Sequence, residues 1–125
     1  MSYSQSVNSL EMHSGIKLSE MFETTISQSH NSSVKKIVKE FPNVVSLNMR
    51  HSENLTDIKA IVSFDKKLRS LNLGGCWRIG DSVIEDTVIK LKNLVHLNLA
   101  VTKITDYGLQ LLGNELKWLN TVRNL

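Results

Sequence analysis

The stretch that decides the fold is LRSLNLGGCWRIGD, residues 68–81, because its spacing recurs on both sides of it. It follows the pattern L-x-x-L-x-L-x-x-C-x-x-I, and related patterns begin near residues 44, 94 and 116. The second leucines of the four patterns are separated by 24, 26 and 22 residues, and they are Leu47, Leu71, Leu97 and Leu119. Intervals of about 20–29 residues are typical of chains built from repeating strand and helix units.

Each unit predicts a strand, a turn and a helix. Alternate side chains of a strand point to opposite faces, so Leu71 and Leu73 are expected to enter the core together. The pairs Thr56-Asp57, Gly80-Asp81 and Thr105-Asp106 predict helix starts at which the aspartate is the N-cap. Units of this kind stack with their strands parallel, so the sequence predicts an α/β fold.

The predicted organisation is a leader followed by one repeat domain. Residues 1–32 are polar and serine-rich, and we expect them to be partly disordered with a short helix at 18–28. The repeat domain is expected over 33–125. It would begin with a helical half-unit at 33–43 that lacks its own strand and is capped by Ser32 or Ser33. Repeats would start near 44, 68 and 94, and a partial repeat from 116.

The block at 68–81 and the run LVHLNLAVTKITDYGLQLL at 94–112 resemble the cysteine-containing leucine-rich repeats of F-box substrate receptors and ribonuclease-inhibitor-like proteins. The run ITDYGL at 104–109 is the most specific part of the resemblance. It implies a short solenoid of about three repeats plus partial ends, with parallel strands on a concave face and helices on a convex face. It also implies that Cys76 points inward and satisfies backbone groups in its turn. Ser52 and Thr102 occupy the same position in the neighbouring repeats.

Composition and motifs argue against an enzyme, and we predict no catalytic, cofactor-binding or metal site. Cys76 is the only cysteine, and the four histidines stand at no ligand-like spacing from it. Gly74-Gly75 lacks the Lys-Ser/Thr tail of a phosphate loop. The apolar runs are far shorter than a membrane span. No secretory signal is evident, so a cytoplasmic or nuclear location is expected.

Residues 34–125 carry 14 Lys and Arg against nine Asp and Glu, but the excess is dispersed, which disfavours nucleic acid as a partner. A protein partner is expected instead, on the outward side chains of the strands, which form the usual binding surface of solenoids. The candidate contacts on this concave face are Arg50, Arg69, Asn72, His96, Asn98, Trp118 and Asn120.

Two features of this face need explanation. Asparagine recurs at Asn48, Asn72, Asn98 and Asn120, either as a ladder of amides that faces a ligand or as a polar residue that the repeat tolerates. Trp118 is placed beside Lys117 and opposite His96, where it is a contact residue or covers an open end of the array.

The sequence therefore predicts a non-enzymatic module that binds another protein. One alternative is a substrate-recognition or adaptor piece of a ubiquitin-ligase complex, which the family resemblance implies. Another is a structural subunit or truncated repeat fragment whose C-terminal edge is covered by a partner chain, since an unpaired strand edge invites pairing.

Overall fold

The computed structural model describes residues 23–25 and 31–122, and five short parallel strands in that part of the chain form one sheet in chain order. The strands are β1 (Glu23–Thr25), β2 (Ser46–Asn48), β3 (Ser70–Asn72), β4 (His96–Asn98) and β5 (Asn120–Val122). The helices between them are α1 (Asn31–Glu40), α2 (Asp81–Asp86) and α3 (Asp106–Glu115), together with 3-10 helices at Lys59–Phe64 and Val88–Lys90. Strands and helices alternate, so the predicted mixed α/β architecture is present.

The core lies between the sheet and the helices. The central leucines Leu47, Leu71 and Leu97 are paired in register and are each 1% exposed. The helices contribute apolar side chains on their inner faces, including Ile37, Phe64, Ile84, Val88 and Leu112, all of them buried. Each unit thus shields its neighbour, and no single unit encloses a core of its own.

Backbone hydrogen bonds extend the sheet beyond the three-residue strands. At their amino ends, Arg69 N–H donates to Val45 O and Val95 N–H to Arg69 O, each at 2.8 Å. At their carboxyl ends, Met49 N–H donates to Asn72 O at 2.9 Å, and Leu73 repeats this bond with Asn98 O. These bonds lock adjacent units in one register, so corresponding side chains form rows across the sheet.

The prediction of a helix at 18–28 is wrong where it can be tested, because Glu23–Thr25 form strand β1. β1 pairs in parallel with β2, with Thr24 opposite Leu47. The half-unit at 33–43 therefore has a strand after all. Helical spacing of apolar residues suggested the helix, but the open edge of β2 offers this segment backbone partners. The rest of 18–28 and the other leader residues lie outside the described part of the chain.

The last unit has a different register from the predicted one. His96 pairs with Asn120, and Leu97 pairs with Thr121 instead of Leu119. Leu116 N–H donates to Leu112 O at 2.8 Å, so Leu116 ends helix α3 as Leu91 ends the preceding helix. Its place in the leucine pattern suggested a strand start, but it belongs to the helical side of the core.

The aspartates at the helix starts do not act as the predicted N-caps. Asp81 and Asp106 are the first residues of α2 and α3, whose N-cap residues are Gly80 and Thr105. The Asp81 carboxylate accepts hydrogen bonds from both the backbone N–H and the hydroxyl of Thr105. Asp57 accepts one from Lys59 N–H, before the 3-10 helix. Asp81 therefore links its own unit to the next.

Helix α1 uses the same kind of link. It begins at Asn31, so Ser32 and Ser33 lie inside it and are not its cap. The Asn31 side-chain oxygen accepts hydrogen bonds from the N–H groups of Thr56 and Asp57, each at 3.0 Å. Polar residues at helix starts thus fasten successive units together.

Candidate interaction surface

The outward strand face is formed by the segments 45–50, 69–74 and 95–100, whose alternate side chains point away from the core. None of these segments contains an aspartate or glutamate, whereas Arg50 and Arg69 are both exposed. Neither arginine forms an ion pair with the described residues. On the helical side, by contrast, Lys59 approaches Asp86 at 3.8 Å and Lys92 approaches Glu115 at 3.3 Å. The helical side therefore carries charges of both signs, whereas the segments 45–50, 69–74 and 95–100 carry only basic ones; in β1, Glu23 pairs with Ser46.

The asparagines at the ends of β2, β3 and β4 have an internal role. Their side-chain oxygens accept hydrogen bonds from the N–H groups two residues on, at 3.0 Å for Asn48, 2.8 Å for Asn72 and 2.9 Å for Asn98. This is the local turn geometry that asparagine favours. The repetition of asparagine thus has a structural cause, and these hydrogen bonds use only the side-chain oxygen of each amide.

Asn120 does not belong to this row, because it pairs with His96. The residue of β5 that lies opposite Asn98 is Val122. The predicted column of four asparagines is therefore three residues long. Asn120 and His96 are both exposed and share a different row with Ser70.

Trp118 does not lie opposite His96 either. It stands two residues before β5, as Leu68 and Leu94 stand two residues before β3 and β4. Those leucines are 0% and 1% exposed, but Trp118 is 84% exposed. A large aromatic side chain therefore takes a core-leucine position at the β5 side of the sheet and lies open to contact.

A row of turns at the carboxyl ends of the strands was not recognised from the sequence. His51, Gly75 and Val101 occupy equivalent positions and have positive φ angles of 59°, 78° and 56°. Glycine adopts this left-handed conformation without steric cost, whereas a β-branched residue does so rarely. Alignment of the repeats contained a signal for these turns. Glycine at position 75 is typical of a left-handed turn, and His51 and Val101 occupy the same position in the neighbouring repeats.

The turns surround a depression that we call the carboxyl-edge groove. It has a volume of about 380 Å³ and runs over three turns, Arg50-His51, Gly74-Gly75 and Ala100-Val101. Asn72 and Asn98 also line it, with Glu53 and Trp77 at its rim. Trp77 is 49% exposed, and the guanidinium carbon of Arg78 lies 4.7 Å from the centre of its ring. The groove thus combines cationic, amide and apolar groups.

Cys76 lies beneath these turns and is fully buried, as expected. Its thiol donates a hydrogen bond to Met49 O of the preceding unit at 3.1 Å. Thr102, at the equivalent position, donates to Leu99 O at 2.8 Å. Burial raises the pKa of the Cys76 thiol, and hydrogen bonding with Ser52 opposes this only in part. The thiol therefore stays protonated near neutral pH and is a poor nucleophile.

We expect Cys76 to react with a thiol reagent such as DTNB at least about a hundredfold more slowly than an exposed cysteine, because reaction requires the protein to open. A cysteine at exposed position 82, made as Ser82→Cys in a Cys76→Ser background, is the reference. Rates are measured by absorbance at pH 7.5. Equal rates would show that Cys76 is accessible in the folded protein.

Within residues 23–25 and 31–122, no three His, Cys, Asp or Glu side chains come together in a way that could hold a metal ion. No helix in the same ranges is long and apolar enough to cross a bilayer.

No protein-family model matches the sequence. Among solved structures, the chain is similar to one from the crystal structure of the Rad7 and Elc1 complex in yeast, with a TM-score of 0.55 and 21% sequence identity. The match covers 76% of this chain and 25% of the other, so the chain spans about a quarter of the length of the structure that it matches. At this identity the likeness concerns the fold alone.

Proposed function

We propose that the chain is a short leucine-rich-repeat solenoid that acts as a non-enzymatic protein-interaction module, and that its partner contacts the outward strand face. The observation that carries the proposal is the pair of exposed arginines on the strand segments. Arg50 and Arg69 are exposed, form no ion pair with the described residues, and lie in strand segments, 45–50 and 69–74, that contain no acidic residue. An exposed arginine is a common anchor in interfaces. His96, Asn72, Asn98 and Asn120 supply further polar contacts.

Trp118 is included in the proposed surface because an aromatic side chain that is 84% exposed offers a large contact area. It lies beside β5, so a partner that reaches it would cover that side of the sheet. The likeness in fold to a chain solved in a two-protein complex supports protein binding in a general way.

Partner capture tests the proposal. We expect Arg69→Glu and Trp118→Ala each to weaken capture of the partner by about tenfold or more, as hot-spot changes do, without altering the circular dichroism spectrum. Affinity purification with mass spectrometry identifies the partner, and quantitative pull-down compares the variants. Matched controls on the helical side are Lys66→Glu, an equal charge reversal, and Tyr107→Ala, the loss of another exposed aromatic residue. Normal capture by both test variants would refute the assignment.

A structural subunit is the second candidate, and Trp118 favours it too, because the equivalent Leu68 and Leu94 are buried whereas Trp118 is exposed and could be covered by a partner chain. This alternative predicts that the isolated chain forms obligate oligomers or aggregates, whereas the module is a folded monomer in dilute solution. Sedimentation velocity distinguishes them.

The role of substrate-recognition or adaptor piece of a ubiquitin ligase is a special case of the interaction module. It adds the requirement that cullin or adaptor subunits purify with the chain. Their absence from the purified set, together with recovery of another partner, would exclude this role.

A further inference from the structure

We infer that the carboxyl-edge groove binds an extended acidic peptide segment of the partner, with a carboxylate of that segment on Arg50. The inference rests on the proposed function and assigns the part of the partner that is recognised. Three features of the groove carry it, namely its hydrogen-bond donors, its charge and its dimensions.

The groove is rich in donors. The oxygens of Asn72 and Asn98 are already held by the N–H groups of Gly74 and Ala100. This fixes the orientation of both side-chain amides, and their nitrogens donate no hydrogen bond to any residue that the structure describes. Two oriented N–H donors in one groove suit a ligand that presents carbonyl or carboxylate oxygens.

The charge of the groove selects an anion. Among the described residues, the Arg50 guanidinium has one long side-chain contact, 3.4 Å from Nη2 to the ring Nε2 of His51. Arg78 lies against Trp77 at the rim and adds a second positive charge. Glu53 is the one acidic residue among the described residues that line the groove. A carboxylate suits the planar fork of Arg50, which can hold it through two hydrogen bonds.

The dimensions favour a peptide. The groove crosses the ends of three strands, and strands stand roughly 4.8 Å apart, so it is roughly 10 Å long, enough for about three extended residues. Its floor is open because Gly74 has no side chain and Ala100 has only a methyl group. A Cβ at Gly74 would lie 3.1 Å from the side-chain oxygen of Asn72. Trp77 and Val101 are exposed apolar surfaces for side chains that flank the acidic residue.

A peptide-binding assay tests this inference on the full chain. The probe is a fluorescein-labelled hexapeptide of alternating Asp and Leu, and the comparison peptide replaces each Asp with Lys. We expect the acidic peptide to bind at least about tenfold more tightly by fluorescence anisotropy, and its affinity to fall as salt rises from 50 to 500 mM. Arg50→Glu should reduce that affinity by about tenfold or more, whereas Lys36→Ala, on α1, should not change it.

Three outcomes would overturn the inference: no preference for the acidic peptide, no effect of Arg50→Glu, or tighter Arg50-dependent binding of a single-stranded RNA oligonucleotide. These failures are distinct from failure of the proposed function. If Arg69→Glu and Trp118→Ala still abolish partner capture, the outward strand face remains the interaction surface and only the groove assignment is lost.

Discussion

Replacing Gly108 by alanine is expected to destabilise the protein by about 2 kcal/mol, although alanine is the better helix former. Gly108 is buried in helix α3. A Cβ there would overlap the Asp81 carboxylate oxygen and would lie 2.9 Å from Cγ2 of Ile104. The Asp81 carboxylate cannot retreat freely, because it accepts two hydrogen bonds from Thr105. Urea unfolding followed by circular dichroism measures the loss.

Gly113 is the matched control, since it lies in the same helix and is exposed. A Cβ at this position meets nothing within 4 Å. Gly113→Ala should therefore gain the helix-propensity term, about 0.5–1 kcal/mol. The two substitutions are chemically identical and should have opposite signs. If both stabilise the protein equally, α3 does not approach Asp81 as closely as the structure indicates.

A double variant identifies the source of the Gly108 effect. Asp81→Ala alone removes the hydrogen bonds to Thr105 and should destabilise the protein by about 1–2 kcal/mol. Asp81→Ala together with Gly108→Ala should cost less than the two single losses combined, because the overlap disappears with the carboxylate. If the two single losses are strictly additive, the overlap that destabilises Gly108→Ala is with Ile104 and not with Asp81.

Gly75→Val is expected to destabilise the protein by about 2–3 kcal/mol, the largest effect among the turn residues. Its φ angle of 78° lies in the left-handed region, and an added Cβ would stand 2.5 Å from Nδ1 of His51.

Val101→Gly is expected to have the opposite effect. Val101 has the same backbone conformation, with φ of 56°, but is 65% exposed, so its side chain contributes little to the core.

For Val101→Gly we expect a gain of about 1 kcal/mol, the relief of left-handed strain less the added chain entropy of glycine. Thermal and urea unfolding of both variants test the pair. Destabilisation by Val101→Gly would show that the valine side chain packs in the folded state and that the backbone is not strained. Val101→Asn is a further comparison, since asparagine tolerates this conformation better than valine does.

The strand positions were predictable because they depend on a local rule. Alternation places Leu71 and Leu73 on one side of a strand wherever that strand lies in the fold. The burial of Cys76 was implied by the resemblance of its repeat to the cysteine-containing class, and the structure agrees. The register of the last unit was not local. The leucine spacing placed Leu119 opposite Leu97, whereas the structure places Thr121 there.

The candidate site was predictable in part. Arg50 and His96 are exposed, as alternation implied, and Arg69 is exposed although alternation from Leu71 would turn it inward. The groove was missed because it depends on the left-handed backbone conformation of His51 and Val101. Neither residue type predicts such a turn from the sequence. The strand β1 was missed for a related reason, since its segment carries a helical spacing and becomes a strand only by pairing with β2.

The sequence by itself determined the repeating units, their inward leucines and the absence of acidic residues from 45–50, 69–74 and 95–100. These properties belong to short segments, where the side-chain period and the residue types suffice. Only the tertiary structure decided the register of β5, the strand at 23–25, the close approach of Gly108 to Asp81 and the groove across three turns. Each of these depends on how one unit lies against the next, and the contacts between units join residues about 24 to 27 positions apart.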